Sequence, residues 1–194
     1  MTKTEQLKGI LSKLQTCQNC GLCQQRIQPV LGAGVPNSGI VIVGEAPGKN
    51  EDEQGKPFVG RSGQLLDQML EAVGLSRNKN VFITNIVKCR PPENRDPTPE
   101  ECAACRPYLD EILELISPKV ILCVGRIASQ RLIDPNYRVT RQHGEVYDLN
   151  GRMVMGTFHP AAILRNPSNR PLMEADLQKL VSLIAEQDAA LLRK

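Results

Sequence analysis

Short apolar runs alternate with amphipathic helical patterns along most of the chain. Four of these runs predict β-strands, because each is rich in aliphatic and β-branched residues and is bounded by polar or turn-forming residues. The expected strands span residues 40–43, 81–87, 120–124 and 153–158. Nearly continuous apolar strands separated by helices are typical of a parallel sheet that is covered on both faces. The expected fold class is therefore α/β, a three-layer α/β/α sandwich around a central, mostly parallel four-stranded sheet.

Helical periodicity fills much of the sequence around these strands. The expected helices span residues 4–15, 62–74, 98–116 and 171–192. Ser62 is expected to cap the second helix, and Thr98 begins a capping box for the third. The dipeptide Asn150-Gly151 predicts a hairpin turn. Neither an internal repeat nor a long linker interrupts the pattern, so we expect residues 1–194 to form a single domain.

The composition is that of a folded globular protein. The chain has 194 residues, of which 41% are hydrophobic and 23% charged. No apolar run approaches the roughly 20 residues needed to cross a bilayer, and the first residues interleave lysine and glutamate instead of forming the apolar stretch of a signal peptide. We therefore expect a cytoplasmic protein that does not contact a membrane.

The small net charge of +3 is distributed unevenly. Residues 126–170 contain seven arginines and three acidic residues, whereas the rest of the chain carries no positive excess. The planar guanidinium group suits phosphate oxygens, so this window is a candidate surface for nucleic acid. An ordinary solvated face would explain the same excess.

Seven cysteines indicate metal or redox chemistry, because thiols stay reduced in a cytosol. They comprise a CxxCxxC motif (Cys17, Cys20, Cys23), a second group (Cys89, Cys102, Cys105) and Cys123, which is read as a small core residue. Spacing alone does not choose the ligands. Four thiolates suit zinc and iron–sulfur equally well, and either Cys23 or Cys102 could belong to the set.

Polar segments follow the predicted strands, and ligands of open parallel sheets bind at the carboxyl ends of the strands. The segment that begins at Gly44 carries four carboxylates, including Glu45 and Glu51. It is not a Walker phosphate-binding loop, because only three residues separate its first two glycines. His159 follows the last strand and precedes the apolar pair 163–164. We expect a site here, and we assign His143 to the surface.

Together these segments resemble the iron–sulfur uracil-DNA glycosylases, family 4 of the uracil-DNA glycosylase superfamily. The motifs that carry the resemblance are GEAPG at 44–48, PFVG at 57–60, TNIVKC at 84–89, CRPYL at 105–109 and HPAAILR at 159–165. They occur in order and cover nearly the whole chain. The resemblance implies an enzyme that flips uracil out of DNA and hydrolyses its glycosidic bond.

The resemblance also implies roles for individual residues. The implied substrate-binding residues are Gly44, Ala46, Phe58, Asn85 and His159; the implied catalytic residues are Glu45, Glu51 and His159; the implied DNA-binding residues are Ile163, Leu164 and Arg165. Ile163 or Leu164 would enter the base stack as a wedge. His159 would hydrogen-bond the uracil O2. The better-known branch of the superfamily has an aspartate where this chain has Ala46, so Glu45 or Glu51 must supply the carboxylate, and we favour Glu45.

By the same resemblance, a [4Fe-4S] cluster is held by Cys17, Cys20, Cys89 and Cys105, and it clamps the N-terminal segment in a structural role. A related branch forms a covalent bond to DNA through a histidine in an inserted loop. The corresponding stretch 90–102 contains no histidine, so we expect hydrolysis without lyase activity or a crosslink. The expected protein is a monomer that acts on single- or double-stranded DNA in a prokaryotic nucleoid. The alternatives are a redox protein or a zinc-stabilised nucleic-acid-binding module without glycosylase activity.

Overall fold

A six-stranded sheet lies at the centre of the computed structural model, which describes residues 1–193. Its strands are β1 (Ala33–Gly34), β2 (Ile40–Gly44), β3 (Phe82–Asn85), β4 (Val120–Val124), β5 (Val146–Leu149) and β6 (Arg152–Thr157). Their spatial order is β1-β3-β2-β4-β6-β5, and the four inner strands are mutually parallel. These four strands are the ones that the apolar runs predict, and their mostly parallel arrangement is confirmed.

The expected total of four strands was wrong, because two short antiparallel strands complete the edges. Strand β5 forms the hairpin predicted at Asn150-Gly151, where both residues have the positive φ values (56° and 76°) that a tight type I′ turn requires. Strand β1 has only two residues, one of them Gly34, so it lacks the apolar run that marks the other strands.

Eight α-helices occur within residues 1–193. They are α1 (Lys3–Gln15), α2 (Lys49–Gln54), α3 (Arg61–Glu71), α4 (Pro99–Ile116), α5 (Arg126–Leu132), α6 (Val139–Gln142), α7 (Pro160–Arg165) and α8 (Arg170–Asp188). The capping box at Thr98 is present, as predicted. None of the helices in this described range is long and apolar enough to cross a membrane.

Several helix boundaries differ from the prediction, and α3 ends at Glu71 instead of residue 74. Gly60, not Ser62, precedes α3, because its carbonyl already accepts the first helical hydrogen bond from Gln64 and its N–H is held by the Glu51 carboxylate. The last helix ends at Asp188, and residues 189–192 form a short 3₁₀ helix instead.

Both faces of the sheet are covered, which confirms the three-layer sandwich. Strand β2 shows how: Val41 and Val43 point into a core formed with α1, α4 and α5, whereas Ile40 and Ile42 point into a second core formed with α3, α7 and α8. All four side chains are fully buried. The two cores cover both faces of the sheet and leave its carboxyl-terminal edge uncovered. The polar residues that follow the parallel strands lie together at this edge.

Candidate active site

A cleft of about 450 Å³ lies at the carboxyl ends of the four parallel strands. One lining residue comes from the end of each strand: Glu45, Asn85, Gly125 and His159. Segment 91–96, between β3 and α4, and Arg165 of α7 complete the wall. The polar segments singled out in the sequence therefore converge on one cavity.

The side chain of Asn85 is buried in this cleft without a hydrogen-bond partner. It is 1% exposed, and neither Nδ2 nor Oδ1 contacts a polar group among the described residues. An unsatisfied buried amide costs stability unless a ligand completes it. Gly44 lies beside Asn85 in the parallel register, and a Cβ there would come within 2.5 Å of Asn85 Oδ1. Only glycine leaves room for this amide.

Phe58 covers the same part of the cleft in a strained conformation. Its φ is 51°, which is unusual for an aromatic residue, and its ring centroid lies 5.7 Å from that of His159. A Cβ on Gly44 would also meet the Phe58 ring, at 2.4 Å from Cζ. The ring, the amide and Gly44 thus form one compact surface.

The two candidate carboxylates have different surroundings. Glu51 Oε1 accepts hydrogen bonds from the N–H groups of Val59 and Gly60 at 2.9 Å each, and Oε2 accepts one from Gly48 at 3.1 Å. Both oxygens are occupied by the backbone. Glu51 is therefore suited to hold the loop that carries Phe58.

Glu45 is half-buried in the cleft wall. The pKa of Glu45 is raised to about 7, mainly by burial and then by the neighbouring Asp96 carboxylate, whereas Arg126 and Arg165 act in the opposite direction. Arg126 also donates to Asp96. A carboxylate that titrates near neutrality suits proton transfer at physiological pH.

His159 caps α7 through its ring. Its Nδ1 accepts a hydrogen bond from the Ala161 N–H at 3.0 Å. Burial lowers the pKa of His159 to about 4, and Arg165 contributes in the same direction against an opposing effect of Glu51. The imidazole is therefore neutral at pH 7 and carries its proton on Nε2, which makes Nε2–H a hydrogen-bond donor for the cleft.

Helix α7 separates the two candidate wedge residues. Ile163 is 2% exposed and packs in the core with α3 and α8, so its side chain has no access to DNA in this structure. Leu164 is 41% exposed on the same short helix, next to the exposed Arg165. The expectation of a wedge at Ile163 is thus corrected by its burial, and Leu164 is the available side chain. Ala46 lines the cleft beside Glu45.

None of the cysteines lines the cleft. The pKa of Cys105 is raised to about 11, mainly by burial, with Lys88 acting in the opposite direction and Cys89 and Cys20 adding to the increase. Burial also raises the pKa of Cys89, with Arg26 opposing and Cys20 and Cys17 adding to the effect. The thiols of Cys17, Cys20, Cys89 and Cys105 are therefore near enough to influence one another.

Cys102 has different neighbours from Cys105. Burial raises the pKa of Cys102, and the strongest other influences are Arg131, which lowers it, and then Glu101 and Glu45, which raise it. Of the two thiols, Cys105 rather than Cys102 therefore lies near Cys89 and Cys20. Across residues 1–193, no group of three or more His, Cys, Asp or Glu side chains is arranged to hold a single metal ion.

The position of Asp96 beside Glu45 was missed by sequence reasoning. Asp96 lies in a segment expected to form the site, but nothing in the local pattern distinguishes it from other surface charges. Arg126 belongs to the arginine-rich window that the sequence singles out. His143 was assigned to the surface, which was wrong: its Nδ1 lies 3.0 Å from both carboxylate oxygens of Asp176, and its ring packs 4.8 Å from that of Phe158. The arginine-rich window is also divided, since Arg126 and Arg165 line the cleft whereas Arg152 lines a separate groove.

Comparison with known proteins agrees with this geometry. The family model of the uracil DNA glycosylase superfamily matches residues 31–182. A type-4 uracil-DNA glycosylase of Archaeoglobus fulgidus is 43% identical over 195 residues, covering 96% of this chain and 98% of the relative. The type-4 enzyme of Thermotoga maritima is 41% identical over 190 residues, with the same coverage of 96% and 98%. A type-5 uracil-DNA glycosylase of Thermus thermophilus is 34% identical and covers 68% of each chain. The chain therefore belongs to the uracil DNA glycosylase superfamily, in the branch of the type-4 enzymes.

Proposed function

We propose that the protein excises uracil from DNA, leaving an abasic site. The observation that carries this proposal is the buried Asn85 amide, which offers one donor and one acceptor with no protein partner. Uracil presents the complementary pair, an O4 acceptor and an N3–H donor, on one edge. Cytosine presents the reverse pattern, so an amide held in one orientation rejects it. Phe58 stacks on the flipped ring above this edge.

The remaining cleft residues account for hydrolysis. The Glu45 carboxylate takes a proton from a water molecule, whose oxygen attacks C1′ of the sugar. The C1′–N1 bond breaks, and its electron pair leaves on uracil N1. The His159 Nε2–H donates a hydrogen bond to uracil O2, which stabilises the anion as it forms. The uracil anion then takes up a proton from solvent.

Glu45 is the better candidate for the base, because both oxygens of Glu51 are occupied by backbone N–H groups. We propose that Glu51 positions the Phe58 loop. No amine is proposed to attack the sugar, so the reaction ends at the abasic site without lyase activity or a crosslink.

The rim of the cleft suits a DNA backbone. Arg126 and Arg165 line the cleft, and the exposed Leu164 lies beside Arg165. We propose that Leu164 fills the gap left by the flipped nucleotide while the arginines contact phosphates. The protein is proposed to act as a monomer in a prokaryotic nucleoid.

We further propose that Cys17, Cys20, Cys89 and Cys105 hold a [4Fe-4S] cluster. Such a cluster supplies a crosslink between segments of the chain. The four cysteines come from the segment after α1, the segment after β3 and helix α4, so it would fasten the N-terminal segment to the core.

The test is excision from an oligonucleotide with one uracil, using anaerobically purified protein and alkaline cleavage of the product. Cleavage at uracil, and none at thymine or cytosine in matched oligonucleotides, is the expected result. Asn85→Ala should abolish most of it. DNA binding without cleavage would contradict the proposal and favour a binding module without glycosylase activity.

A further inference from the structure

Lys88 is a fully buried lysine whose ammonium group has only neutral oxygen acceptors. It is 0% exposed, and its Nζ donates to Thr84 Oγ1 at 2.8 Å and to the backbone carbonyl of Asn85. No ion pair within 4 Å joins it to an Asp or Glu among residues 1–193. A buried charge without a counter-charge is costly, so the hydrogen bonds to these two oxygens are needed to hold the ammonium group in place.

A cysteine sulfur lies against the backbone of Lys88. The Lys88 backbone N–H donates to Cys105 Sγ at 3.3 Å. Lys88 therefore joins Cys105, through its backbone, to the carbonyl of Asn85, through its ammonium group.

The surroundings of Lys88 are also rigid. Thr84, which accepts from Nζ, donates its own hydroxyl proton to the Leu31 carbonyl at 2.6 Å. The Lys88 carbonyl accepts from the Val30 N–H at 2.7 Å. The backbone around the end of β3 is thus held by hydrogen bonds to residues 30 and 31. The Asn85 side chain, in contrast, has no hydrogen-bond partner among the described residues.

We propose that Lys88 is a positioning residue that fixes the Asn85 amide for uracil recognition, through the hydrogen bond from its ammonium group to the Asn85 carbonyl. This inference rests on the role proposed for Asn85. Its consequence is that Cys105, whose Sγ accepts from the Lys88 backbone N–H, is linked to the base pocket through Lys88.

A double-mutant cycle tests whether Lys88 acts through Asn85. Lys88→Met removes the charge and the donors at similar volume, and we expect about 10-fold lower kcat/KM on uracil-DNA, mostly through KM, with a loss of about 100-fold for Asn85→Ala. The double variant should be within about 3-fold of Asn85→Ala alone. Additive losses would overturn the proposal. Lys3→Met is the matched control, since Lys3 Nζ donates to the Ile116 carbonyl at 2.9 Å, far from the cleft.

A second measurement does not depend on activity. In protein labelled with ¹⁵N-asparagine, the side-chain signal that disappears in Asn85→Ala belongs to Asn85. This signal should shift in Lys88→Met and stay in place in Lys3→Met, and an unshifted signal in Lys88→Met would overturn the proposal. If Lys88→Met does not fold, Thr84→Val removes one acceptor of Nζ and is held to the same criterion. Absent excision by the unmodified protein would refute the proposed function, while the Asn85 signal would still decide the link to Lys88.

Discussion

The guanidinium group of Arg77 donates through Nη2 to the backbone carbonyl of Phe58 at 2.9 Å. Its Nη1 donates to the carbonyl of Pro57 at 2.7 Å, and its Nε donates to Asp67 at 2.9 Å. Phe58 has a positive φ, and such a conformation costs about 1–3 kcal/mol unless its surroundings maintain it. Arg77 supplies part of that support through the carbonyls of Pro57 and Phe58, and Glu51 supplies another part through the backbone N–H groups that follow Phe58.

Replacing Arg77 with Leu should therefore loosen Phe58 without touching the substrate. We expect about a 10-fold higher KM for uracil-DNA, a smaller change in kcat, and a loss of about 1–3 kcal/mol in the free energy of unfolding. Steady-state kinetics and denaturant unfolding measure these quantities. Arg106→Leu is the matched control, because Arg106 pairs with Asp110 on the exposed face of α4. An unchanged KM in Arg77→Leu would show that Phe58 keeps its conformation unaided.

Glu45→Gln should slow the chemical step without weakening DNA binding. Removing a positioned base costs about 10²- to 10⁴-fold in rate, and the amide keeps the volume of the carboxyl group. We expect single-turnover excision at least about 100-fold slower, with the Kd for uracil-DNA within about 3-fold of the unmodified protein. Unchanged single-turnover rates would remove Glu45 from the mechanism.

The pH dependence of excision should report Glu45. Its pKa is raised to about 7, and the carboxylate is the active form, so the rate should be half-maximal near pH 7, level off about one pH unit above it, and fall about tenfold per pH unit well below it. His159, with its pKa lowered to about 4, stays neutral throughout and adds no second loss between pH 5.5 and 9. The acidic fall should disappear in Glu45→Gln. A profile that remains flat down to pH 5.5 in the unmodified protein would be incompatible with this assignment.

Substitutions of two adjacent residues on α7 should affect different properties, excision for Leu164 and stability for Ile163. Leu164→Ala should lower excision from duplex DNA about 5- to 10-fold, with less effect on single strands, because only a duplex leaves a gap to fill. Its stability should stay within about 0.5 kcal/mol, since the side chain is exposed. Ile163→Ala should instead cost about 2–4 kcal/mol of stability, because it empties a core position. Equal losses on duplex and single-stranded substrates in Leu164→Ala would argue against a wedge.

These residues also show how far the sequence alone can specify the site. The four parallel strands and the residues at their carboxyl ends could be predicted, because the apolar runs are local and the site of a parallel sheet follows from its topology. The sequence could not show which of Ile163 and Leu164 is exposed, because this depends on how α7 packs against α3. The hydrogen bond from Arg77 to Phe58 could not be predicted either, because it joins residues 19 positions apart through a backbone carbonyl. Every residue has a backbone carbonyl, so the sequence does not show which one accepts a hydrogen bond.

The cysteine assignment can be tested with a pair of residues three positions apart on α4. Cys105 and Cys102 are both buried, but Cys105 lies near Lys88, Cys89 and Cys20, whereas Cys102 lies near Arg131. Cys105→Ala should therefore lose the bound iron and the brown absorbance near about 400 nm that a [4Fe-4S] cluster gives, and Cys102→Ala should retain both. Iron analysis and the visible spectrum of anaerobically purified protein measure the outcome. Loss of iron from Cys102→Ala but not from Cys105→Ala would show that Cys102 is the ligand. Colourless unmodified protein with stoichiometric zinc would show that the site binds zinc and not an iron–sulfur cluster.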